Sequence, residues 1–142
     1  MENGELMNEL QATLPPEAQY KRIFVDGIYY YGKHVVLTAT QCNERLLDLD
    51  AIARFIGDLV DRIDMVAFGD PLVARFGSGI EEGISAVQLI ETSAITIHTN
   101  DMARDLYLDV FSCKGYNEVD VVEFVSRFFG TNNINYQTLL RK

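Results

Sequence analysis

At 142 residues, with 48% hydrophobic and 23% charged content, the chain has the length and balance of one soluble globular domain with a single core. A formal net charge of −9 excludes a general nucleic-acid binder, which needs a basic footprint on phosphate, and it would not repel a cationic substrate. No apolar run is long enough to cross a bilayer and the N-terminus shows no basic-then-apolar leader, so a cytoplasmic protein with no membrane partner is expected.

Residues 1–20 are polar or mixed, and Pro15-Pro16 argues against a helix, so they are expected to form an arm ahead of a folded domain over 21–142. Ile23-Phe24-Val25 and Ile28 to Tyr31 flank Asp26-Gly27, a pair that supplies the positive φ angles of a tight hairpin. Gly32 reads as a break before a β-branched strand from His34 to Thr40. Leu49, Ile52, Phe55, Ile56, Leu59 and Ile63 recur at three- and four-residue spacing, which predicts an amphipathic helix capped by Asp48 or Asp50.

Met65 to Phe68 and Leu72 to Phe76 read as strand segments interrupted by Gly69-Asp70-Pro71, and Gly77 to Gly83 as a loop. Ile84 to Glu91 and Ala94 to Thr99 are expected strands on either side of Thr92-Ser93, with another from Leu106 to Ser112. Asn117 can cap a second helix, with Val121, Val122, Val125, Phe128 and Phe129 on its buried face and Gly130 at its end. The tail from Thr131 is polar and has no clear pattern. Connections among the later strands are too short for helical crossovers, so the sheet should be largely antiparallel. With both helices on one face, the expected fold is an α+β two-layer sandwich. A partly apolar second sheet face would need a partner, and a symmetric homodimer is the simplest one.

The chemistry sits in the later strands. Ser93, His98 and Cys113 lie on or beside two β-patterned segments and are raw material for nucleophilic catalysis. Alternation puts Thr96 and His98 on one face, and Tyr107, Asp109, Phe111 and Cys113 together on one face of the next strand. Singly, each has a structural reading: Ser93 as a turn residue, His98 as a satisfied strand histidine, Cys113 as a small hydrophobe. His34 and Cys42 read as structural, while Asp109 either orients a catalytic group or caps a loop. Two distant cysteines and two histidines without ligand spacing predict neither a disulfide nor a metal site.

Jointly, the segment Gly83-Ile84-Ser85-Ala86 through Glu91-Thr92-Ser93-Ala94-Ile95-Thr96-Ile97-His98-Thr99 resembles the bacterial and archaeal S-adenosylmethionine decarboxylase proenzyme family. That family typically shows Gly-Val-Ser-Gly, then Glu-Ser-His, then Ser-Ile-His-Thr, and finally Asp-x-Phe-Thr-Cys. Ser85, Ser93, His98, Asp109 and Cys113 fall at its spacings without a gap, and Gly32-Lys33-His34 with Cys42 resembles its opening strand. The resemblance implies a zymogen of polyamine (spermidine) biosynthesis that cuts itself between Thr92 and Ser93. It implies that Ser85 stabilises the intermediate, that His98 is the processing base, and that Ser93 becomes a pyruvoyl group. That cofactor would form a Schiff base with an amino-acid substrate, and Cys113 would be the proton donor.

The chain departs from the family at three places. Thr92 stands where the family has Glu, Ala94 where it has His, and Asn100-Asp101-Met102 where it has Trp-Pro-Glu, the residues associated with adenine stacking and a ribose contact. The chain contains no Trp; Phe76 or a tyrosine is the available aromatic, with Asn100 and Asp101 as further substrate-binding candidates. S-adenosylmethionine is the default substrate. The alternative is the same pyruvoyl chemistry on L-arginine or L-ornithine, with Asp101, Asp105, Glu81 or Glu82 holding the cationic group. A second alternative, a non-catalytic binding homologue, is opposed by the joint presence of Ser93, His98 and Cys113.

Overall fold

The computed structural model describes residues 13–142; the first twelve residues of the expected arm lie outside the described residues. A one-turn helix, α1 (Pro16–Gln19), precedes a separate hairpin of β1 (Ile23–Val25) and β2 (Ile28–Tyr30). The main sheet contains β3 (Gly32–Ala39), β4 (Leu72–Phe76), β5 (Gly83–Ile90), β6 (Ser93–Asn100), β7 (Asp105–Ser112) and β8 (Ile134–Arg141). Its order is β4-β5-β6-β7-β3-β8 and every neighbouring pair is antiparallel. The two long helices, α2 (Leu49–Arg62) and α3 (Glu118–Phe129), join one face of this sheet in a single core, which is the expected two-layer α+β sandwich. No helix among the described residues is long and apolar enough to cross a membrane.

Both helices begin and end for local reasons. The Asp48 carboxylate accepts the Asp50 N–H at 2.9 Å, and Ile52, Phe55, Ile56 and Leu59 form the fully buried stripe of α2. The Asn117 side chain accepts the Val119 N–H at 3.0 Å, and Gly130, at φ +63°, ends α3 in the left-handed region. Phe124 was not among the expected core residues, yet it is buried and stacks on Phe55 at 5.2 Å. Phe128 and Phe129 complete that aromatic cluster.

The hairpin turn forms as expected, with Asp26 at φ 51° and Gly27 at φ 81°. Four readings need correction. Pro15-Pro16 does not exclude a helix, because Pro16 opens α1, where a missing N–H costs no intrahelical bond. Gly32 is the first residue of β3 rather than a break, and a Cβ there would lie 2.3 Å from the Phe111 ring. Met65 to Phe68 makes one isolated bridge, Ala67 to Ile90, instead of a strand. The tail, whose pattern left it unassigned, forms a strand: β8 pairs with β3 along its whole length, so β3 becomes an interior strand. The hairpin between β5 and β6 turns at Glu91-Thr92, since Ile90 pairs with Ser93, and Ser93 is therefore the first residue of β6.

Alternation then sorts the sheet. Ile84, Ala86, Ile95, Ile97, Leu106, Leu108, Val110, Val35 and Leu37 point to the helices and are buried. The opposite face carries no helix. It combines exposed Leu72, Phe76, Val87, Leu89, Tyr107 and Leu139 with Ser85, His98, Asp109 and His34. Ser85, His98, Asp109 and His34 thus lie on this open face, whereas Ser93 shares the parity of Ile95 and Ile97.

Candidate active site

Two separate clusters arise from the strand register. At one end of β6, Ser85 pairs directly with His98, and Ser85 Oγ and His98 Nδ1 share a hydrogen bond of 2.9 Å. The Tyr107 ring lies beside that imidazole at 6.4 Å. Burial and the neighbouring Asp105 carboxylate, which accepts the Tyr107 hydroxyl at 3.2 Å, push the phenol above its ordinary value.

At the other end of β6, the Thr92–Ser93 bond closes the hairpin opposite the end of β7. Ser93 pairs with Ser112, and the Cys113 N–H donates to the Thr92 carbonyl at 3.1 Å. The buried Ser112 hydroxyl donates to Thr92 Oγ1 at 2.7 Å and accepts the Lys114 N–H at 2.9 Å. Thr92 Oγ1 in turn donates to Met65 Sδ at 3.4 Å. Arg22, from the segment just before the β1–β2 hairpin, donates to Cys113 Sγ at 3.3 Å. Sequence reasoning missed Ser112 and Arg22. Ser112 carried a usable signal, since it immediately precedes Cys113; Arg22 carried none.

The two clusters do not meet within one chain. Five residue steps of extended strand separate Ser93 from His98, about 17 Å at the usual rise per residue. A hydroxyl reaches about 3 Å to its hydrogen-bond partner, so Ser93 is out of range of both Ser85 and His98 on its own sheet.

Between the clusters, Asp109 stands mid-strand on β7, which removes the loop-cap reading. Its carboxylate meets His34 Nε2 at 3.2 Å and accepts the Thr96 hydroxyl at 3.4 Å, so it orients the imidazole of His34. Cys42 is a buried thiol pushed up to about 11, chiefly by burial and secondarily by Asp105. A buried, protonated thiol is in keeping with a structural role.

The proposed substrate contacts have mixed surroundings. Asn100 donates to the Ile80 carbonyl and accepts the Ala103 N–H, both at 2.9 Å, so its side chain builds the turn after β6. The Asp101 carboxylate is ion-paired with Arg75, which also approaches Glu82 at 3.6 Å. Phe76 is exposed on the open face. With Leu72, Ala74, Ser85, Ala86 and Val87 it lines a shallow apolar cavity of about 190 Å³.

Comparisons with known proteins give the family and the fold. Residues 33–142 match the family model described as S-adenosylmethionine decarboxylase. The chain is 26% identical over 104 residues to the S-adenosylmethionine decarboxylase proenzyme of Caldanaerobacter subterraneus subsp. tengcongensis, an alignment that covers 72% of this chain and 82% of that one. Its fold is similar to the crystal structure of the adenosylmethionine decarboxylase from Aquifex aeolicus VF5. That likeness has a TM-score of 0.68 at 18% identity and covers 79% of this chain and 91% of the other.

Proposed function

Because the chain belongs to the S-adenosylmethionine decarboxylase family of decarboxylases, we propose that it is a self-processing, pyruvoyl-dependent enzyme acting on S-adenosylmethionine in polyamine biosynthesis. The observation that carries this reading is the Cys113 N–H donating to the Thr92 carbonyl, the group next to Ser93.

Ser93 Oγ attacks the Thr92 carbonyl carbon. Negative charge develops on an oxygen that already accepts the Cys113 N–H, so the backbone just after β7 can stabilise it. The carbon–nitrogen bond breaks as the carbon–oxygen bond forms, and the hydroxyl proton passes to the nitrogen, leaving an ester. His98 then takes the α-proton of residue 93 and the Thr92 carboxylate departs. Hydrolysis releases ammonia and leaves a pyruvoyl group at the start of the new chain. Ser93, at the first position of β6 beside Cys113, is a suitable precursor because cleavage frees a strand end without cutting through the ladder. The pyruvoyl carbonyl supplies an electron sink for decarboxylation. The Cys113 thiol, adjacent to position 93, returns a proton to the substrate carbon.

Since Ser85 and His98 lie at the far end of β6, the pair that acts on one Ser93 belongs to a second copy. A two-fold axis lying between two open sheet faces and running across the strands sets the Ser93 end of one copy against the partner's Ser85–His98 end. Leu72, Val87, Leu89 and Leu139 would be covered in that homodimer.

S-adenosylmethionine is preferred because the exposed ring of Phe76 stands in an apolar cavity beside Ser85, whereas Asp101 is already ion-paired with Arg75. The second reading, arginine or ornithine, is favoured by one observation: the turn at 100–103 carries no aromatic side chain. Under denaturing conditions the protein should split into two fragments between Thr92 and Ser93, the smaller one blocked by a pyruvoyl group. Ser93→Ala should abolish cleavage and activity, and Cys113→Ala should permit cleavage but slow turnover. A lasting intact chain of 16.1 kDa would overturn the self-processing reading. Labelled carbon dioxide should come from S-adenosylmethionine; release from arginine or ornithine instead would reassign the substrate.

A further inference from the structure

The residue before the cleavage point is gripped twice by one short segment. Cys113 holds its carbonyl through the backbone, while Ser112 holds its side chain. Lys114 N–H donates to Ser112 Oγ, the Ser112 and Thr92 hydroxyls share a hydrogen bond of 2.7 Å, and Met65 Sδ can accept from either hydroxyl, at 3.6 Å and 3.4 Å. Ser112 is fully buried, so an unmade bond there has no water to replace it.

One hydrogen bond to a carbonyl leaves the peptide plane free to swing about that contact. A second attachment through Cβ removes the swing, and a β-branched threonine transmits it well because its χ1 is stiff. We propose that Ser112, through its hydroxyl bond to Thr92, is a positioning residue for self-cleavage. This rests on the self-processing reading above. The bond keeps the Thr92 carbonyl on the Cys113 N–H with its carbon presented to Ser93 Oγ, the orientation on which an intramolecular attack depends. Ser112 forms and breaks no covalent bond, and no proton of the acyl shift passes through it. On this view Thr92 is suited to its place by the hydroxyl that Ser112 grips.

The test follows the conversion of freshly made precursor into fragments, by denaturing gel and mass, for Ser112→Ala, Thr92→Val, the double variant and Ser112→Thr. Thermal melts establish that each is folded at the assay temperature. Each single removal should slow cleavage by about tenfold to a hundredfold, the range of one lost buried hydrogen bond. Ser112→Thr, which restores the hydroxyl, should recover most of the rate. The double variant should be no slower than the slower single one, because both remove the same bond. Hydroxylamine, which cleaves esters, should release fragments from His98→Ala, stalled after the acyl shift, but not from Ser112→Ala, stalled before it. Wild-type cleavage rates in Ser112→Ala and Thr92→Val, multiplying effects in the double variant, or hydroxylamine release from Ser112→Ala would each overturn the proposal. If Ser112→Ala does not fold, the half-buried Thr92→Val carries the same comparison. Failure of the wild-type chain to cleave would instead overturn the self-processing reading.

Discussion

Mixing two inactive precursors tests the geometry most directly. Within one chain, the register Ser85 to His98 and Ile90 to Ser93 fixes five residue steps of β6 between the proposed nucleophile Ser93 and the proposed base His98, about 17 Å of nearly inextensible strand. Closing that gap to the roughly 3 Å of a hydrogen bond would mean dismantling the interior of the sheet, where β6 is bonded on both sides. On the proposed self-cleavage, the base would then come from a partner copy. Neither Ser93→Ala nor His98→Ala should cleave alone. In a mixed dimer, however, the His98→Ala chain offers an intact Ser93 to an intact His98 on the Ser93→Ala chain. The other site of that dimer lacks both groups and stays silent. Co-expression at equal levels should therefore cut about half of the His98→Ala chains, the share that random pairing places with the other variant. Different affinity tags on the two chains let mass spectrometry report which one was cut. No cleavage in verified mixed dimers, or cleavage of His98→Ala alone, would refute the reasoning.

Three further expectations concern the frame that positions the site. A Cβ at Gly83 would sit 1.8 Å from the Thr99 carbonyl oxygen, so Gly83→Ala must part β5 from β6. It should lose about 3 kcal/mol in urea unfolding, and a loss under about 0.5 kcal/mol would count against it. Phe55→Ala empties the centre of the aromatic cluster between α2 and α3 and should cost about 3–5 kcal/mol in the same assay. The Glu118 carboxyl is held below its usual range, chiefly by its bond to Lys33. Its folded pKa is thus lower than its unfolded one, so the pair stabilises above the ordinary glutamate range and the benefit disappears as pH falls through the folded pKa. The pair is partly exposed and its contribution is correspondingly small. Melting temperatures of wild type and Glu118→Gln should converge on acidification, and a gap that persists unchanged to pH 3 would contradict this.

What could be read of the fold was what is encoded locally. The stripe from Ile52 to Leu59 and the caps Asp48 and Asn117 involve residues within a turn or two of one another, so periodicity finds them. Strand β8 escaped because it is an edge. Its residues are exposed or half-buried on both faces, and its place comes from backbone pairing to β3, which leaves no alternation to detect. Met65 to Phe68 misled in the opposite sense. Its apolar residues suggest a strand, yet it crosses β5 through two backbone bonds, Phe68 to Leu89 and Glu91 to Val66, before Gly69 at φ +70° and Pro71 turn the chain away. Phe124 was overlooked because its burial depends on where α2 lies, a contact between helices far apart in sequence.

The candidate site shows the same division. Residue identities at family spacing are a local property, and Ser85, Ser93, His98 and Cys113 could be named from them. Their closeness in the sequence suggested closeness in space, and on a strand the two are opposed: residues that share a strand stand farther apart with each step. A motif spread along one β-ribbon therefore describes two half-sites, not one site. The Ser85–His98 pair is bonded within itself, and the Thr92–Ser93 bond is gripped by Ser112 and Cys113, so each half is already ordered inside the single chain. Asn100 and Asp101 invite a related error, because polar side chains in a short turn look free on the page. Here one is committed to its own turn and the other to Arg75. On the proposed self-cleavage, a second copy would turn two ordered half-sites into a reactive one, and the bare sheet face that carries the Ser85–His98 pair beside exposed Leu72, Val87 and Leu89 is the surface through which it would arrive.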